Sequence, residues 1–548
     1  MLSVRYYGVF LTILLSWFIV AAQGTDRDNT LFDVVWQNQS WGEGALYPSG
    51  PLWNMVGPFD FDGDGMRGFV TSSSWTGAFL NGVYYYEASG DNQIELRWFY
   101  HFADLDTSAD NFSSVTVGDL DGDEQPEIIV LADAPAGADG LQIFEWNPDS
   151  MSFPTTPTAT WNLGLNHGIF EAGQVITANL DSDANQELVV SVMDGPWGSA
   201  GTSHIMIIEL QNQSFELPSW HVEFHDSTTT GWSGYTLYTT DLDKDGLSEL
   251  YAVAWDYYRM LIYENTGNED EYALQSAFYV SYDDEFSNQG LAAANFDNDQ
   301  YNELYATSSN GNFWVIADSG DVSQITFDNF HFLGSYSGGL RQIRIDDMDG
   351  DSLPDLYLAG NYNEALYDWE YQGGSPLDPQ NYNQYTIFQD PTEDDTTSGS
   401  DQGYFRVAKL VTGDLDSDRH GDIIIASSSL ALDKPTLVMI EYQDVTAIQD
   451  QTSAVPQTVQ LYQNYPNPFN PATRISYSLP QNSYVKLEIF DMLGRKVITL
   501  YNGMQLAGNH HFQWTGVNQA GEPVPSGQYI YRLTINNQTF SKKMTLLK

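Results

Sequence analysis

Asp119-Leu-Asp-Gly-Asp-Glu-Gln-Pro-Glu127 runs directly into Ile128-Ile-Val-Leu131. A dense set of oxygen donors thus leads into a strand-like apolar run. The phrase returns six times: DFDGDGMRG from Asp60, NLDSDANQE from Asn179, DLDKDGLSE from Asp241, NFDNDQYNE from Asn295, DMDGDSLPD from Asp347 and DLDSDRHGD from Asp414. Successive starts lie 52 to 67 residues apart. A period of this size means one supersecondary unit repeated along the chain.

Residues 1, 3, 5 and 9 of each phrase can converge in a tight loop. They are Asp60, Asp62 and Asp64 in the first copy, and Asp119, Asp121, Asp123 and Glu127 in the second. The third and fourth copies offer Asn179, Asp181, Asp183 and Glu187, then Asp241, Asp243, Asp245 and Glu249. The fifth to seventh offer Asn295, Asp297, Asp299 and Glu303, then Asp347, Asp349, Asp351 and Asp355, then Asp414, Asp416, Asp418 and Asp422. Carboxylates this close repel one another unless a cation lies among them. A set of hard oxygens suits Ca2+, which takes about 6–8 of them, better than Mg2+ with its stricter octahedral geometry. Zinc is disfavoured, because the chain has no cysteine and the loops carry no histidine pair. A plain Asp/Gly turn explains one such phrase but not seven in one register. Gly68 stands at position 9 of the first copy, so that site is expected to be the weakest or empty. Position 2 is always apolar (Phe61, Leu120, Leu180, Leu242, Phe296, Met348, Leu415) and is expected to plug the loop into the core.

An EF-hand would place its last acid at position 12 and flank the loop with helices. Here the acid falls at position 9, and runs such as Leu188-Val-Val-Ser-Val192 and Ile423-Ile-Ile-Ala426 follow, so each loop reads as the tip of a β-hairpin. The second repeat shows room for four strands, at Val115–Val117, Glu127–Ala132, Leu141–Trp146 and Thr158–Leu163. Four-stranded antiparallel units in radial array make a β-propeller, and seven units lie within the usual range of about 4–8. Only two strands follow the seventh loop, near Ile423 and Leu437, so Leu31–Gln37 is expected to complete the last unit.

The loops resemble the calcium loops of FG-GAP (VCBS) repeats, the module of integrin alpha-subunit propellers and many bacterial surface proteins. Asn111-Phe-Ser-Ser-Val-Thr-Val-Gly-Asp-Leu-Asp-Gly-Asp123 lies nearest the family pattern, while the Phe-Gly and Gly-Ala-Pro signatures are degraded. The resemblance covers roughly residues 30–445. It implies a seven-bladed propeller with its metal loops on one face, and leaves the function open.

At the N-terminus, Arg5, an apolar run from Val9 to Val20 and Ala21-Ala22 read as a signal peptide over residues 1–24. The run is shorter than the ~20 residues a spanning helix needs, and no other stretch could cross a bilayer as a helix. The lack of cysteine in an exported chain points to calcium rather than disulfides as its clip. A polar linker, 446–459, precedes a segment of different composition, 460–548, whose strand-like runs suggest a small immunoglobulin-like β-sandwich. Asn464-Tyr-Pro-Asn-Pro-Phe-Asn-Pro471, Phe490-Asp-Met-Leu-Gly-Arg-Lys-Val497, Ser526-Gly-Gln-Tyr-Ile-Tyr-Arg-Leu533 and Lys542-Lys-Met-Thr-Leu-Leu-Lys548 occur in order. This segment resembles the C-terminal sorting domain of the type IX secretion system of Bacteroidota and related bacteria. The resemblance implies that residues 460–548 engage that machinery, with delivery outside a Gram-negative cell or to its outer surface.

The net charge is −54, yet the segment from Gln460 carries +5, which leaves −59 on the rest. Nucleic-acid binding is excluded in practice, because phosphate contacts need a basic patch. No nucleophile elbow, phosphate-binding glycine loop or His-Glu-x-x-His motif is present. His221 and His225 lie in an alternating stretch, about 13 Å apart on one strand face, and read as solvated. Aromatic residues in the remaining loops (Trp75, Trp197, Trp232, Trp255, Tyr257, Tyr258, Tyr362) could form a face for an extracellular protein or glycan ligand. The favoured function is therefore a non-catalytic, calcium-binding surface or secreted adhesion protein. The alternative is an extracellular carbohydrate-active enzyme, a lyase or hydrolase.

Overall fold

The computed structural model describes the chain from Phe32 to Leu547, apart from 39–51, 74–81, 103–112, 133–139, 166–168, 195–201, 228–233, 255–258, 280–287, 317–319, 390–406, 428–434, 444–458 and shorter stretches. The leader and the seven loop aromatics named above lie outside the described residues. The chain divides into two units, Met1–Val445 and Thr446–Lys548. No helix among the described residues is long and apolar enough to cross a membrane.

Among the described residues, the first unit holds seven four-stranded antiparallel sheets, each containing one acidic loop. In the second sheet the strands are Ser114–Gly118, Glu127–Ala132, Gly140–Glu145 and Ala159–Asn162, within two residues of the sequence reading at every end. Strands are numbered here from the inside of each sheet outward. The loop always joins strand 1 to strand 2. Strand 2 is buried along its length in sheets one, two, five, six and seven, and in sheets two and seven it reads accordingly as an apolar run after its first acid.

No sheet in the first unit buries its faces alone. Seven apolar clusters each combine residues of two successive sheets. One unites Leu120 and Ile129 of sheet two with Val190 and Met206 of sheet three, and another unites Leu415 and Ile424 of sheet seven with Phe69 and Tyr84 of sheet one. The first strands touch in the same cyclic order, and that of sheet seven (Val407–Gly413) reaches that of sheet one (Leu52–Phe59). The array is therefore a closed ring. Between first strands there is no ladder, and side chains serve the backbone instead. Asn54 Nδ2 donates to the Ser113 carbonyl at 2.8 Å, Thr177 Oγ1 to the Val117 carbonyl at 2.9 Å and Arg344 Nε to the Leu410 carbonyl at 3.1 Å. Gln174 Oε1 accepts from Leu237 N–H at 2.7 Å and the Tyr238 hydroxyl from Ala293 N–H at 2.8 Å.

Sheet seven combines both ends of the unit. Phe32–Gln37 pairs antiparallel with Leu437–Tyr442, Phe32 opposite Tyr442 and Gln37 opposite Val438. Asn38 extends the seam, donating from Nδ2 to Thr436 Oγ1 at 2.7 Å and accepting at Oδ1 from the N–H groups of Thr436 and Leu437.

The second unit packs a three-stranded sheet (Gln460–Leu461, Thr473–Leu479, Gly508–Trp514) and a four-stranded one (order Lys496–Gln505, Ser483–Asp491, Gly527–Ile535, Gln538–Leu546) around Trp514, Tyr477 and Tyr531. Asn464, buried in the proline-rich phrase, donates its N–H to the Tyr531 hydroxyl at 2.9 Å and its side-chain amide to Thr473 Oγ1 at 2.8 Å.

Deleting residues 32–37 leaves Leu437–Tyr442 as an open edge and removes Phe32 from the core between sheets six and seven. The expected result is loss of the single cooperative thermal transition; an unchanged melt refutes the closure. Leu415→Ala, which hollows the core between sheets seven and one, should cost about 2–5 kcal/mol in denaturant unfolding.

Candidate metal centres

One hydrogen-bond scheme builds the loops. The position-5 carboxylate accepts the N–H two residues on in all seven, from Met66 to Asp64 at 2.7 Å through His420 to Asp418 at 2.7 Å. Position 1 braces the turn: Asp119 accepts from Gly122, Asp123 and Glu124, and Asp414 from Asp418 and Arg419. Where position 1 is asparagine, its amide donates to a loop carbonyl instead, Asn179 to Asn185 and Asn295 to Asp299. The turn passes through positive φ at position 6, as at Glu124 (70°), Ser352 (70°) and Arg419 (80°).

The position-2 residue enters the core shared with the next sheet, which refines the expectation of a core beneath its own loop. Phe61, for example, packs on Trp146 and Phe153 of sheet two. In five loops the position-2 N–H meets the position-9 acid. Glu127, Glu187, Glu249, Glu303 and Asp422 accept from Leu120, Leu180, Leu242, Phe296 and Leu415 at 2.6–2.9 Å. Asp355 accepts from the Tyr357 hydroxyl at 3.1 Å.

That bond engages one oxygen of each position-9 carboxylate. The other oxygen is buried without a hydrogen-bond partner in Glu127, Glu187, Glu249, Asp355 and Asp422, as are Oδ1 of Asp121, Asp241, Asp243, Asn295 and Asp416. Buried polar atoms are almost always paired, and orphaned oxygens aimed together fit an ion of opposite charge. Oxygens of Asp119, Asp121, Asp123 and Glu127 lie within 4.8 Å of one another, as do those of Asp241, Asp243, Asp245 and Glu249, and of Asp60, Asp62 and Asp64. Burial pushes the position-9 acids up, to about 9 for Glu127, about 8 for Glu187, Glu249 and Asp422, and about 7 for Glu303, with the loop aspartates adding repulsion. Burial raises Asp355 as well. At loop six, Asp349, Asp355, Asp368 and Glu370 line a cavity of ≈ 140 Å³.

The first loop is built differently. A Cβ on Gly68 would meet the Tyr86 carbonyl oxygen at 2.1 Å, so no acid fits there. Opposite it, buried Glu87 takes the Tyr85 hydroxyl and the Arg97 guanidinium, the latter at 2.8 Å. Both its oxygens are thus engaged, one by a cation from the chain itself.

Glu87 belongs to a set absent from the sequence reading. Among the described residues, strand 3 places an acid beside the loop in six sheets. Glu145, Glu264, Glu370 and Glu441 lie directly across from Glu127, Glu249, Asp355 and Asp422, and Glu209 bonds Asn185 of loop three. The signal was available, since all but Glu370 close an apolar run, as in Ile143-Phe-Glu145 and Leu261-Ile-Tyr-Glu264.

The histidines keep their expected exposure but gain partners. His225 is exposed, as expected of a strand face, but it is not alone there: its Nε2 lies 2.9 Å from Nδ1 of buried His204 on the adjacent strand. His221 instead faces Asp270 of the next sheet at 3.4 Å.

The FlgD Ig-like domain family matches residues 469–539, within the second unit. No curated protein matches the chain. Among solved structures, PorZ of Porphyromonas gingivalis, described as an essential bacterial surface component of the type-IX secretion system, is similar at 14% identity and a TM-score of 0.40. That match covers 90% of this chain, which spans 60% of the PorZ structure's length. The periplasmic gluconolactonase PpgL of Pseudomonas aeruginosa is similar at 11% identity and a TM-score of 0.41, over 61% of this chain and 84% of that one.

The raised acids set a pH dependence. Unfolded carboxylates ionise near pH 4–4.5, whereas the folded ones hold protons to about 7–9. Folding without metal therefore takes up protons, so this contribution is full below about pH 4 and is lost as pH rises through 7–9. In chelator the melting temperature should fall from pH 5 to pH 8. Saturating Ca2+, which competes with those protons, should restore it at pH 8 and do little at pH 5.

Proposed function

We propose that the first unit is a seven-bladed β-propeller that binds Ca2+ at its acidic loops and acts outside the cell as a non-catalytic binding or adhesion protein. The observation that carries the calcium reading is the position-9 carboxylate, with one oxygen on the position-2 N–H and the other buried and unpaired. The donors are hard oxygens throughout, as calcium prefers. Loops two to seven would hold the ion through positions 1, 3, 5 and 9. The bound charge would relieve the repulsion among those acids and fix the position-2 side chain in the core between blades. Calcium is then a structural part of the ring, and weak sites of about 10⁻⁴–10⁻³ M would fill in extracellular fluid.

Export rests on the leader-like N-terminus and on the phrases of the last unit, which resemble type IX sorting domains; the likeness to PorZ carries no weight in it. The ligand is an extracellular protein or glycan, and the loop aromatics are the residues to test against it.

Calcium titration of the full chain, followed by thermal unfolding with and without chelator, tests the reading. Uptake of several equivalents with a rise in melting temperature is expected. Absence of both would reduce the loops to turns. Release of sugar products from a polysaccharide panel would replace the binding role by an enzymatic one.

A further inference from the structure

The seventh loop lies where the last sheet meets the first. There the described donors extend beyond the loop. Asp416 and Asp418 stand with Glu441 of strand 3 and with Asp91, from the turn joining strands 3 and 4 of sheet one; one oxygen of each lies within 4.8 Å of the others. Asp416 is 4% exposed and Glu441 5% exposed. Asp416 Oδ1 and Glu441 Oε1 are both buried without a hydrogen-bond partner.

The turn from sheet one is held over the loop. Asn92 N–H donates to Asp416 Oδ2 at 2.7 Å, and its side-chain amide donates to Asp91 Oδ1 at 2.8 Å. Asn92 takes up positive φ, 58°, to do so. Its own Oδ1 is another buried oxygen with no partner. Gln443 Nε2 donates to Glu441 Oε2 at 2.6 Å, so it is the other oxygen of Glu441 that stays unpaired. His420 Nδ1 lies 2.8 Å from Asp418 Oδ2, and a ring nitrogen of His420 lies within 4.8 Å of oxygens of both Asp418 and Glu441.

The arrangement recurs elsewhere in part. The equivalent turn of sheet four gives Asp270 N–H to Asp181 Oδ2 at 3.4 Å, and that of sheet five gives Val322 N–H to Asp243 Oδ2 at 3.2 Å. In each case the next sheet's turn grips the position-3 acid. Only at the seventh loop does the grip join sheets that lie at opposite ends of the sequence.

We infer that a divalent cation, Ca2+ by its all-oxygen donors, is held at the ring's closing seam by Asp91, Asp416, Asp418 and Glu441, and so ties sheet seven to sheet one. The ion shares Asp416 and Asp418 with the loop and takes Asp91 and Glu441 from outside it. The ion would offset the negative charge that four carboxylates gather across the seam. The inference rests on the calcium reading of the loops given above.

The test uses the full-length protein and Ca2+ alone, comparing wild type with D91N and E441Q. Asp91 is exposed, so D91N leaves the core untouched. Losing even an outer partner of a metal ligand costs about 10–100-fold in affinity. Both variants should weaken one calcium equivalent by about 10-fold or more and lower the melting temperature in calcium. In chelator D91N should melt close to wild type, because an asparagine oxygen at 91 can still accept from the Asn92 amide while the negative charge is removed. Calcium uptake by D91N equal to wild type in number and affinity overturns the inference while leaving the loop sites standing. No uptake by wild type overturns both.

Discussion

The first unit depends on one constraint: none of its sheets has a core of its own. Every apolar cluster in it draws on two sheets, and the clusters close in a circle. A linear stack would leave two faces open to water. The ring leaves none, provided that the last sheet finds the first. Strand pairing, first-strand contacts and the Asn38 seam all serve that condition.

The acidic loops belong to the same constraint. Their second residue is a core residue of the neighbouring interface, and in five of them its N–H holds the ninth. Charge at the rim and packing in the core are therefore two ends of one short lever. A change in loop charge is felt between sheets, which is why metal and stability are expected to move together.

Much of this was legible in sequence, and the reasons are local. A loop with its flanking strands spans 19 to 26 residues, so the phrase at Asp119 and the run from Glu127 could be read directly. Phe32–Gln37 was found by counting, because one strand was missing after Leu437. The strand-3 acids were missed because they follow position 9 at 15 to 22 residues, a spacing that varies with the hairpin between. Asp91 and Asn92 were out of reach for a different reason. They join Asp416 only through ring closure, more than 300 positions away, and no periodicity marks such a pair. The exposure of His225 was legible from the strand pattern, but its contact with His204 on the next strand was not.

The Asn38–Thr436 bond joins residues 398 positions apart. Loop-closure entropy grows only logarithmically, at about 0.6 kcal/mol per doubling of length. Bringing such distant ends together is therefore a small thermodynamic burden, but it is one of timing. The clasp cannot form until the last repeat has been made, so a growing chain holds an incomplete circle with apolar faces at both ends. Truncated products would carry those faces permanently, as sticky fragments that quality-control proteases can recognise.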